Sequence, residues 1–273
     1  MPSNKQNIVP MNRPKRLSEV LGLWAGGVVA PILTAGTLIR EARIFHPRGI
    51  YFHAEVEPTA NVPAPYIAIA EGLAQNDSLM RLSAGISNME SGVMPDLLGV
   101  SVRFNTAADA GYMPHQGSQD LLMATSQSLL SIPIALFETD QRNFLANIYY
   151  GMSPFELGNQ PDMRLRIVPL TQLGKSGTDR YDMIRDAVAS GEVVFRLEAS
   201  PVSAPGQWFP LVRIRLQNEV ALDDRTTRFW PFRTGQGIRP QGFVQYMRPV
   251  PYLTSQWARS AMGMPTGMPT GMK

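Results

Sequence analysis

The segment WFPLVRIRLQNEV, residues 208–220, alternates Val212, Ile214 and Leu216 with Arg213, Arg215 and Gln217. Strict period-two alternation of this kind makes a strand with one face in a core and the other in water, as in an antiparallel sheet. The rhythm recurs along the chain. GIYFHAEVEP (49–58) puts Ile50, Phe52, Ala54 and Val56 on one face, and LLGVSVRFNT (97–106), MRLRIVPL (163–170) and EVVFRLEASPV (192–202) behave alike. Glycine and proline, 23 of each, punctuate these segments as turns. Two stretches read as helical. One is SQDLLMATSQSLLSIP (118–133), continued by ALFETDQRNFLANIYY (135–150); the other is TDRYDMIRDAVASG, with Thr178 as N-cap and Gly191 as stop. The expected fold class is α+β: an antiparallel sheet large enough to curl or close, with helices inserted between its halves.

At 273 residues the chain suits one large domain or two small ones, and 44% hydrophobic with 17% charged residues suffices for a buried core. The net charge is only +3, and no Lys/Arg run is interleaved with aromatics, so nucleic acid is not an expected partner. The absence of cysteine excludes disulfides, thiolate nucleophiles and Cys-ligated metal or Fe–S sites. An all-histidine metal site would need His46, His53 and His115 to converge. Phosphate-binding loops, nucleophile elbows, zinc-helix and EF-hand patterns are absent.

Residues 1–16 are polar and basic, and are expected to be disordered. Val20 to Ile39 then carries no charge. As one helix it would span about 30 Å, the thickness of a hydrocarbon core. The basic flank fits a membrane anchor or a signal peptide; the alternative is a segment packed on the domain. An anchor or signal would make the protein membrane-associated or exported, and otherwise it would be cytoplasmic. The expected organisation is a basic and apolar N-terminal part (1–39), a domain (40–262) and a flexible tail (263–273) that repeats G-M-P-T.

One histidine invites a chemical reading. In REARIFHPRG (40–49), His46 lies between Arg43 and Arg48. Neighbouring cations favour neutral imidazole, the form a general base needs. From these residues alone, a surface histidine at a strand start is the plainer reading.

Order along the chain adds to this. R-x-x-H-P-R-G-I-Y-F-H-A-E-V-E-P resembles the entry motif of the catalase superfamily, the minimal catalase-related peroxidases in particular. RLSAGIS (81–87) is similar to the family's R-F-S, and PDLLGVSVRFNT to its following strand. DLLMATSQSL, DRYDMIRDAVASGEVVFRLEASPV, QNEVALDDRTTRFWPF and FVQYMRPVPYLTSQWARSAMGMPTG resemble later family segments in the same order, over about residues 40–268. The resemblance implies a closed antiparallel β-barrel with inserted helices, a heme cofactor and a peroxide or organic hydroperoxide substrate, in the service of oxidative-stress defence. By resemblance, His46 matches the distal acid–base histidine, and Ser83 the serine that orients it. Arg43 and Arg81 match arginines that meet the heme propionates, and Thr125 falls where the family has a peroxide-orienting asparagine.

The departures are as specific. Threonine lacks the amide's paired donor and acceptor, and Leu129 and Leu130 replace an aromatic pair. The proximal tyrosine helix has no match before Lys273, and Tyr246 and Tyr252 fall in an expected strand ahead of it. Three readings follow. The chain is a heme-dependent catalase/peroxidase-type oxidoreductase, with a lipid hydroperoxide suggested by the apolar segment before His46. Or it is a catalase-fold protein without heme that binds an apolar ligand or a protein partner. Or it is an unrelated β-rich binding domain. A homo-oligomer is compatible with each.

Overall fold

The computed structural model describes residues 12–25, 49–85, 95–172, 179–191, 193–223 and 227–247. Thr178, Tyr252 and the 263–273 tail lie outside them. The five alternating segments form strands where the pattern places them: β1 (Gly49–Pro58), β3 (Leu98–Thr106), β7 (Gln160–Pro169), β8 (Val193–Pro201) and β9 (Phe209–Glu219). Between them lie β2 (Asp77–Ala84), β4 (Gln119–Ala124), β5 (Tyr149–Tyr150), β6 (Phe155–Leu157) and β10 (Ile238–Pro240). The order β1-β2-β3-β4-β5-β7-β8-β9 closes on itself through β9–β1, every pairing antiparallel, while β6 and β10 extend beside β7. The result is the expected α+β class: a closed eight-stranded barrel with helices between its strands. Closure leaves no free edge around the ring.

Inward positions fill the barrel: Phe52, Leu82, Val100, Val102, Phe104, Ile167, Phe195 and Ile214 are each fully buried. Five α-helices lie among the described residues. They are α1 (17–25), α2 (Ile67–Leu73), α3 (Ile132–Glu138), α4 (Arg180–Ser190) and α5 (Phe243–Met247). Helix α4 begins at Asp179, whose side chain accepts the Tyr181 N–H at 3.0 Å, and ends at Gly191.

Two expectations are corrected. Residues 119–124 are a strand, not a helix, because Leu121 and Met123 point into the barrel and the segment pairs with β3 along its length. Pairing of this kind overrides the helix propensity of leucine, methionine and alanine. Of the continuation, only Ile132–Glu138 is α-helical. Tyr246 stands in α5 rather than in a strand.

Residues 12–25 pack on the β6–β7–β10 side of the barrel. Glu19 accepts the Lys15 and Arg16 backbone N–H groups and the Arg239 guanidinium at 3.2 Å. Lys15 pairs with Glu156 at 2.9 Å, and Arg16 with Asp162 at 2.6 Å. The hydrogen bond from Arg16 holds the Asp162 carboxyl below the usual carboxylate range.

Candidate functional site

Strand registers stack the outward-facing residues of β1–β4 in rows. Gly49, Ser83, Gly99 and Ala124 form one row, and Tyr51, Arg81, Ser101 and Leu122 the next. His53, Leu79, Arg103 and Asp120 form a third. The first row carries little beyond Cβ, whereas the second and third carry charge and aromatic rings.

Ser83 and Arg81 therefore share one face of β2, both buried. Ser83 Oγ makes a long bond of 3.4 Å to Gly99 O. The Arg81 guanidinium lies 5.6 Å from the Tyr51 ring centroid and passes directly over Gly49, where a Cβ would collide with it. A side chain at 49 would therefore push the guanidinium aside. Arg43 and His46 lie outside the described residues; in sequence His46 is three residues before Gly49, the first residue of β1 and the partner of Ser83. Thr125 follows Ala124, but its hydroxyl accepts the Leu98 N–H at 3.2 Å and lies 2.8 Å from Thr139 Oγ1. That hydroxyl ties the end of β4 to β3 and to α3.

The third row holds the strongest electrostatic feature, one not anticipated from sequence. Arg103 donates to both Asp120 carboxylate oxygens, at 2.9 and 3.1 Å, and to Tyr112 O at 3.0 Å. Asp120 also accepts from the Trp230 backbone N–H at 2.7 Å and from Arg233. Burial pushes the Arg233 guanidinium below its ordinary value; Asp120 opposes this and Arg103 adds to it. The Arg103 cation stacks on Phe229, 5.0 Å from the ring centroid. Through these contacts the chain after β9 folds back over the outer face. Tyr51, Leu79, Tyr112 and Phe229 form a small apolar cluster beneath it, separate from the barrel core. Beside this cluster Tyr112 OH and His53 Nδ1 are 2.8 Å apart, and His53 Nε2 is 3.6 Å from Asp77. Burial, then the Asp77 charge, raises the Tyr112 phenol. The sequence signal for the ionic cluster is faint: a lone Arg and a lone Asp at like-parity positions of two apolar strands.

Tyr246 is placed by α5 into the α1 anchor. Its hydroxyl accepts from Arg239 at 2.6 Å and donates to Asn12 O at 3.2 Å, and its ring meets Phe232 edge-on at 5.2 Å. Burial pushes its pKa up to about 12 despite the Arg239 charge. It is a structural phenol. Because folding raises this pKa, the stability it contributes is whole below the unfolded value near pH 10 and is lost as pH climbs toward 12. In an ultraviolet phenolate titration Tyr246→Phe should remove a component ionising near pH 12, and Arg239→Met should raise that component. Among the described residues, no group of three His, Asp or Glu converges as a metal-ligand set.

With this geometry in view, comparison with solved structures is informative. Catalase A from Saccharomyces cerevisiae superposes with a TM-score of 0.54 at 11% identity, covering 86% of this chain and 66% of that one. A fungal catalase gives 0.53 at 9% identity, covering 86% and 64%. The fold is catalase-like. This chain spans just under two thirds of the length of those catalases. No sequence-family model matches it, and no curated protein does.

Proposed function

We propose that the chain is a catalase-related heme protein acting on peroxide or an organic hydroperoxide, with the outer face of β1–β4 as its distal wall. The observation that carries this reading is the shared face of Ser83 and Arg81, flush against Gly49 and three residues downstream of His46. The chemistry a bound heme supplies is reductive cleavage of the peroxide O–O bond at its iron. His46 takes the proton from one peroxide oxygen and returns it to the other. Ser83 fixes the imidazole tautomer through a hydrogen bond. Arg81, buried and permanently charged, meets a carboxylate at the ring's edge, as does Arg43. The small first row gives a flat ring room to approach the wall. An apolar substrate such as a lipid hydroperoxide suits the uncharged stretch before His46.

Among the described residues, support for a heme comes from the Ser83–Arg81 face alone. Tyr246 is protonated and held by Arg239, and the Thr125 hydroxyl is committed within the fold. These commitments favour a second reading, a catalase-fold protein that binds an apolar ligand without heme. The visible spectrum of protein expressed with heme supplied separates the two. A Soret band that stays with the protein through gel filtration is expected under the first reading; its absence leaves the second.

A further inference from the structure

Helix α1 faces the wrong way for a helix that only packs. Glu19 and Gly22, on one side, are buried against the barrel. Glu19 is held by Arg239, and Gly22 lies so close to the Phe243 carbonyl that no Cβ fits. Leu17, Val20, Leu21 and Trp24, on the opposite side, are 75, 38, 52 and 76% exposed. Their i, i+3, i+4, i+7 spacing makes one continuous apolar stripe, and Phe243 beside the helix is 40% exposed. A helix joined to its own domain by its polar side, with its apolar side outward, is half of an interface.

The charge pattern says what the other half is. From Leu17 to Ile39 the only charged residue is Glu19, and that carboxylate is turned inward and neutralised by Arg239. In sequence, fourteen uncharged residues, 26–39, follow Ala25. Arg13, Lys15 and Arg16 precede it, all exposed, although Lys15 and Arg16 are paired with Glu156 and Asp162. Helix α3 and the turn before it also expose Ile134, Phe137 and Leu130, but the helix ends at Glu138, with Asp140 just beyond, and has no uncharged continuation. An apolar stripe next to a basic flank matches the boundary between anionic headgroups and acyl chains.

We infer that α1 is an interfacial membrane-docking helix: its Leu17–Trp24 stripe lies in the acyl boundary of an anionic bilayer while Glu19 holds the barrel to it. No described helix is long and apolar enough to cross a membrane. The docking is independent of the heme reading and uses the β6–β7–β10 side. In the ring, β7 lies four strands from β2 in either direction, so the β2 wall stays clear of the bilayer.

Flotation of the full chain with phosphatidylcholine–phosphatidylglycerol vesicles tests this. The wild type should float with the vesicles, and Trp24→Lys and Leu21→Lys should each lower partition about tenfold or more. The milder Leu17→Ser should lower it less. All three positions are exposed, so circular dichroism should be unchanged, and Leu17→Ser keeps the test open should a lysine variant misfold. Wild type that stays in the aqueous fraction would overturn the inference. So would variants that float as well as wild type, since binding would then come from other residues. A vesicle-free wild-type dimer that Trp24→Lys converts to monomer would overturn it too, by showing a second copy to be the occupant.

Discussion

Replacing Asp120 by Ala should destabilise the protein by about 3–5 kcal/mol, the usual cost of removing one partner from a buried ionic cluster. Asp120 is fully buried between Arg103 and Arg233, which are 2 and 7% exposed. Without the carboxylate, two guanidinium groups face each other in a desolvated space, and the Trp230 N–H loses its acceptor. Burial already lowers the Arg233 pKa, so the removed charge was offsetting a penalty that then stands uncompensated. Asp120→Asn keeps an acceptor but not the charge, and should fall between the two proteins. Asp182→Ala breaks an exposed pair with Arg185 and should cost no more than about 0.5 kcal/mol. Urea midpoints at constant slope would measure all three. A loss below about 1 kcal/mol for Asp120→Ala would mean that the cluster does not hold the cover on the barrel.

That cluster also shows where reading the sequence stops. The five alternating strands were legible because apolar residues recur at every second position, a pattern written locally, although β3 and β8 are buried on both faces. Strand β4 was not, since LLMA suits a helix and only the pairing Val102↔Leu121 and Gly99↔Ala124 makes it extended. Gln119 makes the same point. It lies inside the barrel, where its amide donates to Arg233 O and Ile238 O at 2.9 and 3.1 Å, partners more than a hundred residues away. Residues 103, 120 and 233 likewise meet only once the register is known. Motif order singles out Arg81 and Ser83, while their common face with Gly49 follows only from β1–β2 pairing. The inverted orientation of α1 depends on Arg239, and no pattern within residues 12–25 encodes it. Local periodicity carries burial, while long-range register carries chemistry.

If the peroxide reading holds, His46→Ala should lower hydroperoxide turnover by about 10²- to 10⁴-fold, the range for losing a general acid–base group. The Soret band should persist, because in this reading His46 moves protons and does not hold the ring. Ser83→Ala should lose less, because an imidazole without its orienting bond spends only part of its time in the productive tautomer. Its pH–rate profile should shift while the band stays in place. Arg81→Leu should act differently. It removes a buried cation that lies against Gly49 and Tyr51, so heme retention should fall before turnover per bound heme does. Two kinds of loss are thus assigned to two residues one strand position apart on the same face of β2. Were His46→Ala to leave turnover intact while the band survives, proton transfer would not run through the β1 entry. The Ser83–Arg81 face would then be a binding surface only.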